Sequence, residues 1–311
     1  MTVHRSGFCA VVGRPNVGKS TLVNRIVGTK VTITSPRPNT TRSAVRGVLH
    51  AGETQVVFVD TPGLHKPRSA LGARMNEAAT ASLDDVDAVV VLVEATASVG
   101  PGDRRVLGHA VRWAQGGHAS ESAAPVLVAV NKVDAAPQPQ VAARLAQVAA
   151  AVEAASVEAA AAEVASGGPV PFEVFPVSAA TGSGLRELVE AVVARMPEGP
   201  AYYPDDMVRD TSEGAWVADL VREQLLARLD EELPHSIACR VTEWEWPRVR
   251  CEVLVERDSQ KGIVIGKGGA TLKAVGTAVR RQLPPGAYLE LFVRVEKHWQ
   301  QRDDALDRLG L

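Results

Sequence analysis

Apolar residues in the first two-thirds of the chain fall into short unbroken runs separated by stretches of helical period. Residues 8–12, 55–60, 88–94, 125–131 and 173–177 are such runs, rich in valine. Their length and β-branched content predict strands buried on both faces. Residues 19–27, 103–113, 141–166 and 184–196 read as the intervening helices. Strand and helix in alternation predict an α/β fold with a mainly parallel sheet. Alanine dominates 141–166, which suits a surface helix, and Gly167, Gly168 and Pro169 supply its stop.

Near Met196 the pattern changes. Pro197, Gly199, Pro200 and Pro204 punctuate a linker, read as 198–208. A helix is expected over 211–233, then a hairpin of 237–246 and 248–257 turning near Pro247. Residues 260–283 read as two helical pieces broken at glycines. A last strand, 288–297, alternates Leu289, Leu291, Val293 and Val295. Two domains follow, 1–197 and 209–311, the second of α+β type.

Composition adds limits. Of 311 residues, 46% are hydrophobic, enough for real cores and against wholesale disorder. The net charge of −2 excludes a bulk polycation, so any nucleic-acid surface must be a local patch. Cys9, Cys239 and Cys251 sit in strand-like runs without metal or disulfide spacing and read as buried thiols. The N-terminus has no signal-peptide core, and no apolar run reaches the ~18 residues of a membrane span. A cytoplasmic protein is expected.

The strongest chemical signal is Gly13, Arg14, Pro15, Asn16, Val17, Gly18, Lys19, Ser20, followed by Thr21, between a strand and a helix. This is the context a P-loop requires. Glycines let backbone N–H groups curl around phosphate oxygens, and the helix N-terminus favours the anion. Lys19 reaches the outer phosphates, and the Ser20 hydroxyl can ligate Mg2+. Asn131, Lys132 and Asp134 follow a later strand. A carboxylate at Asp134 can accept from both the ring N–H and the amino group of guanine, a donor pair adenine lacks. Asn131 can brace neighbouring loops, and Lys132 can lie over the base. Asp60, Thr61, Pro62 and Gly63 end another strand. Asp60 is placed for magnesium, and Gly63 offers an N–H to the terminal phosphate. Thr40 and Thr41 share a loop; Thr41 is the favoured magnesium ligand. Ser178, Ala179 and Ala180 end the 173–177 strand, with the Ala179 N–H expected to meet the guanine carbonyl. The catalytic assignment is Lys19, Thr41 and Gly63.

In the second domain, Ile265, Gly266, Lys267, Gly268 and Gly269 join two helical pieces. This is the GXXG arrangement of a KH domain, whose glycines admit a nucleic-acid backbone while bases lie in an apolar groove. Between Arg257 and Arg281 the cations are Arg257, Lys261, Lys267, Lys273, Arg280 and Arg281, against the single anion Asp258. An RNA-facing patch is expected there. Trp244 and Trp246 are expected to pack in the core or on the hairpin, with RNA stacking the alternative.

Together these motifs resemble the Era family of GTPases. Thr40, Thr41 and Arg42, the tract Asp60 to His65, and the string from Val255 to Gly266 carry the resemblance, which extends over nearly the whole chain. It implies a translation-factor-class GTPase domain followed by a type II KH domain. It further implies binding to the 3′ end of 16S ribosomal RNA and a part in small-subunit maturation. Some members also touch membranes peripherally. Leu64 stands where Ras-like enzymes place a water-orienting glutamine, which implies slow turnover alone. His65 could position water or be an ordinary loop histidine. Asn16 matches a position that helps hold K+ in related GTPases. GTP is expected to order the loops around Thr41 and Asp60 and so to alter the KH surface. The rival readings are a tandem-GTPase ribosome factor, an adaptor holding GTP structurally and a membrane-stress signalling GTPase.

Overall fold

The computed structural model describes residues 4–67, 69–116, 126–161, 170–230 and 233–311. Its contacts divide the chain into two compact units. The first comprises Met1–Thr32, Thr41–Lys66 and Met75–Asp210; the second comprises Ile33–Thr40, Pro67–Arg74 and Thr211–Leu311.

In the first unit β1 (Arg5–Gly13), β2 (Val45–Ala51), β3 (Thr54–Asp60), β4 (Ala88–Glu94), β5 (Val126–Asn131) and β6 (Phe172–Pro176) form one sheet in the order β2-β3-β1-β4-β5-β6. Only the β2–β3 pair is antiparallel. Side chains along β1 alternate between two cores. Ala10 and Val12 face α3 (Pro101–Gln115) and α4 (Gln138–Ala161), while Cys9 and Val11 face α1 (Lys19–Val27) and α5 (Leu185–Val193). Helices on both faces explain why these strands are apolar throughout rather than alternating. The register sets Gly13 beside Leu92 and Glu94 beside Asn131, so the carboxyl ends of β1, β4 and β5 share one rim. Strand order reverses at β1, and open α/β sheets bind ligands at that crevice.

Two elements of the first two-thirds escaped the sequence reading. β2 is an edge strand whose apolar pattern is diluted by Arg46, Gly47 and His50. A second helix, α2 (Ala70–Ala81), buries the side chains of Leu71, Met75 and Ala79 at a spacing of four, a thin apolar stripe. The expected end of the alanine-rich helix, with its glycine–proline stop, and Pro125 lie outside the described residues.

Residues 198–210 belong to the first unit, where they run along the β2 edge. Val48 N–H donates to Val208 C=O at 2.9 Å, and Gln55 Oε1 accepts from the Tyr202 and Tyr203 N–H groups at 2.8 and 3.0 Å. An edge strand carries unpaired backbone groups, and this segment satisfies part of them. By its contacts the first unit extends to Asp210 and so takes in the expected linker of 198–208.

The second unit runs α6 (Glu213–Leu226), β7 (Ala238–Glu245), β8 (Arg248–Val255), α7 (Asp258–Ile265), α8 (Ala270–Arg280), β9 (Tyr288–Val295) and α9 (Asp303–Leu309). Its sheet has the order β7-β8-β9, with β8 and β9 parallel. This is the expected type II KH arrangement with a short C-terminal helix added. Trp299 is fully buried there, and its Nε1–H donates to Ser236 C=O at 3.1 Å. α6 is shorter than the expected 211–233. Trp244 and Trp246 do not enter the core: they are 41% and 48% exposed and stack on each other with ring centroids 6.3 Å apart.

Burial pushes the Cys9 and Cys251 thiols well above the ordinary range, which fits inert packing residues, whereas Cys239 is only half-buried. Among the described residues no helix is long and apolar enough to cross a membrane.

Candidate functional site

At the rim where β1 ends, the loop from Gly13 to Gly18 leads into α1. Gly18 has φ 103°, and a Cβ there would meet the Asn131 amide nitrogen at 2.4 Å. Glycine is needed on both counts. Lys19 is buried, and its Nζ donates to Gly13 C=O at 3.2 Å and Arg14 C=O at 3.0 Å. Burial pushes its amine down to about 8, against the opposing pull of Asp60. An ammonium so placed is short of anionic partners, which a polyphosphate supplies. The Arg14 guanidinium pairs with Asp103 at 2.9 Å, so this side chain ties the loop to α3 and leaves phosphate contact to the backbone.

Asp60 is fully buried at the end of β3. Its Oδ2 accepts from the hydroxyls of Ser20 (2.7 Å), Thr32 (2.9 Å) and Thr41 (3.2 Å), and Ser20 Oγ lies 2.9 Å from Thr41 Oγ1. Burial raises the Asp60 carboxyl pKa, while Ser20, Lys19, Thr32 and Thr41 pull it back. Asp60 Oδ1 is buried without a partner. A carboxylate with an orphaned oxygen among hydroxyls fits a small oxygen-seeking divalent cation such as magnesium. Thr40 instead donates its hydroxyl to Arg37 C=O at 2.8 Å, so of the two threonines Thr41 reaches this cluster.

The loop after Asp60 is drawn against the P-loop. The Thr61 hydroxyl donates to Val11 C=O at 2.8 Å, and the Leu64 N–H donates to Gly13 C=O at 3.3 Å. Pro62, Gly63 and Leu64 are buried. His65 is half-buried, with Nδ1 2.8 Å from Gly63 C=O, rather than the exposed loop residue the sequence favoured.

The rim beyond β5 is tied to the same loop. Asn131 Nδ2 donates to Val17 C=O at 2.7 Å, and its Oδ1 accepts the Ala179 N–H at 2.9 Å. The bracing role expected of Asn131 is visible in these two bonds. The second bond engages the Ala179 N–H that was expected to meet the guanine carbonyl. Ser178 folds its own loop, its Oγ accepting the Thr181 N–H at 3.1 Å. Arg25 reaches across from α1 to the carbonyls of Ala179, at 3.3 Å, and Ala180. Lys132 extends to Glu94 at 3.1 Å, and Asp134 is exposed. Thr21 is half-buried in the first turn of α1.

Sequence reasoning missed Thr32, Glu94 and Asp103. Asp103 had a signal: an acid three residues into a helix opened by Gly100 and Pro101, where its Oδ2 accepts the Gly100 N–H at 2.9 Å. Thr32 had none, since only the fold brings it to Asp60.

In the second unit Gly266, at φ 77°, ends α7 where a Cβ would lie 2.3 Å from Thr271 Oγ1. Lys267 and Gly268 project into solvent, Gly269 is half-buried and Ile265 lies partly in the core. Arg257, Lys261, Lys273, Arg280 and Arg281 are exposed, and none makes an ion pair among the described residues. Beside the loop runs a groove of about 410 Å³ lined by Leu229, Leu233, Ile263 and Thr271 together with the polar Arg228, Asp230 and Gln260. Ile263, 59% exposed on its wall, was not singled out from sequence.

Comparison with known proteins agrees with this geometry. Residues 8–132 match the 50S ribosome-binding GTPase family and residues 232–300 match the KH domain. A GTPase Era from Mycobacterium sp. (strain KMS) is 43% identical, with 100% of both chains covered. The Mycobacterium tuberculosis (strain ATCC 25177 / H37Ra) GTPase Era is 42% identical over the same full coverage. A crystal structure of Era with MgGDPNP and nucleotides 1506–1542 of 16S ribosomal RNA superposes with a TM-score of 0.82 at 32% identity, covering 99% of each chain. An Aquifex aeolicus Era variant bound to GDP and AlF4- gives 0.81 at 32% identity, over 98% of this chain and 99% of that one. The chain belongs to the GTPase Era family and is a GTP hydrolase with a C-terminal KH domain.

Proposed function

We propose that this GTPase grips the 3′ end of 16S ribosomal RNA through its KH unit and serves small-subunit assembly in the cytoplasm. The observation that carries the reading is the loop from Gly266 to Gly269: glycine-lined, flanked by cations that make no ion pair among the described residues, and opening on a groove of mixed character whose apolar side chains are Leu229, Leu233 and Ile263. Backbone amides and Lys267 meet phosphates there, and splayed bases enter beside Ile263. A relative solved with that RNA segment matches over 99% of this chain. RNA is favoured over a membrane because the glycine loop with its flanking cations suits phosphates of a nucleic-acid backbone.

Ser20, Thr41 and Asp60 would hold Mg2+, which neutralises phosphate charge when bound. The P-loop amides orient the triphosphate, Lys19 offsets charge on its outer oxygens, and Gly63 presents its N–H to the last phosphate. Asp134 and Lys132 hold the base. Leu64 offers no group to orient water, so turnover is slow without help. Asn16, at φ 66° in the loop, is the proposed contributor to a K+ site beside the phosphates. Turnover should be faster in potassium than in sodium, and equal rates would remove that role.

The RNA target is tested by crosslinking the full chain in cell extract and sequencing the bound RNA. Enrichment of the 16S 3′ end is expected; reads spread over unrelated RNAs, or none, would overturn the assignment.

A further inference from the structure

The first unit carries a second basic feature, remote in sequence from the GXXG loop. α3 buries Val106, Leu107, Ala110 and Val111 in the core and turns Arg104, Arg105 and Arg112 outward. These guanidiniums line a groove of about 510 Å³ between α3 and α4. Its opposite wall is the alanine-rich helix, where Ala151 and Ala155 are too small to fill the space and Glu158 is the acidic lining residue. α3 and α4 pack through a core that includes Ala110, Val111, Ala151 and Ala159, and beside that contact small side chains on one wall and long cations on the other leave the groove open.

Among the described lining residues, three arginines face one carboxylate, Glu158. None of the three arginines has a carboxylate within 4.0 Å among the described residues, Glu158 included. Exposed arginines elsewhere do pair, as Arg46 does with Asp210 and Arg248 with Glu290. The local field is felt by His109 on the same helix, whose pKa is lowered by burial and then by Arg112 and Arg105. From Arg105 to Arg112 is seven residues, or about 10 Å along the helix. A row of that length suits a linear polyanion better than a single anion. The same signature, cations that make no ion pair among the described residues, surrounds the KH loop.

We propose that the α3–α4 groove is a second RNA contact, in which Arg104, Arg105 and Arg112 bind phosphodiester groups of the RNA held by the KH unit. The proposal rests on the RNA-binding reading above. Contacts of this kind add affinity without reading sequence, and each raises the salt dependence of binding.

The test compares wild type, the combined Arg104→Ala, Arg105→Ala and Arg112→Ala variant, its all-lysine counterpart and Gly268→Asp. The probe is a 3′-terminal 16S RNA fragment longer than nucleotides 1506–1542, titrated over a range of salt. The alanine variant should bind about tenfold more weakly, with the slope of log K against log salt reduced by about 2–3. Lysine should restore most of both, and basal GTP hydrolysis should match wild type. Unchanged affinity and slope in the alanine variant, while Gly268→Asp loses binding, would overturn the groove and leave the KH reading intact. If wild type itself fails to bind the fragment, the RNA reading fails first. A variant that binds RNA normally but loses binding to poly-glutamate would assign the groove to an acidic protein instead, which also overturns the proposal.

Discussion

Asp134→Asn should lower GTP affinity by about three orders of magnitude and open the site to xanthosine triphosphate. Both parts follow from counting donors and acceptors. The carboxylate presents two acceptors to the paired donors of guanine. Asparagine keeps the shape but turns an amide donor toward the amino group of the base, leaving two donors facing each other. Xanthine carries a carbonyl at that position, which the amide can serve. Asp134 is exposed, so the change should not disturb folding, and the Asn131 bonds to Val17 and Ala179 remain to hold the rim. Competition binding with GTP, ATP and xanthosine triphosphate measures it. GTP affinity equal to that of wild type would mean that another group selects the base.

Gly268→Asp should reduce RNA affinity by on the order of 100-fold while sparing GTP hydrolysis. Gly268 sits at φ 59°, and no atom lies within 4 Å of where a Cβ would stand. Aspartate tolerates the left-handed region better than most residues, so the loop should keep its form. What changes is charge: a carboxylate would stand beside Lys267 where phosphate is proposed to lie, and like charges held close cost several kcal/mol. Filter binding to the 16S 3′ segment, with phosphate release in parallel, reads both effects. Loss of both activities together would point to misfolding rather than to the loop.

Much of this was legible because the chemistry is local in sequence. A phosphate loop needs its strand, glycines and helix consecutively, so Gly13 to Ser20 declared themselves, as did Gly266 to Gly269. The central strands were equally plain, since burial on both faces leaves a run such as Ala88–Glu94 little polarity. What stayed hidden depends on distant parts of the chain. Residues 198–210 look like a linker because their backbone bonds go to β2 and Gln55, far away in sequence. Thr32 joins Asp60 only through the fold, and nothing local showed that Asn131 would engage the Ala179 N–H. Of the two packing roles open to Trp244 and Trp246, core or hairpin, the rings take the second, stacking on each other while 41% and 48% exposed.

The division between the two units runs through one loop. Thr41 belongs to the first unit and touches Ser20 and Asp60, whereas residues 33–40, immediately before it, group with the second. A ligand that fixes Thr41 therefore acts on the end of a segment packed with the KH unit, and linkage makes that influence reciprocal. The decisive measurement is the affinity of the full chain for the 16S 3′ segment with GDP and with a non-hydrolysable GTP analogue. The account predicts at least about a fivefold difference between the two states. Identical affinities would contradict it.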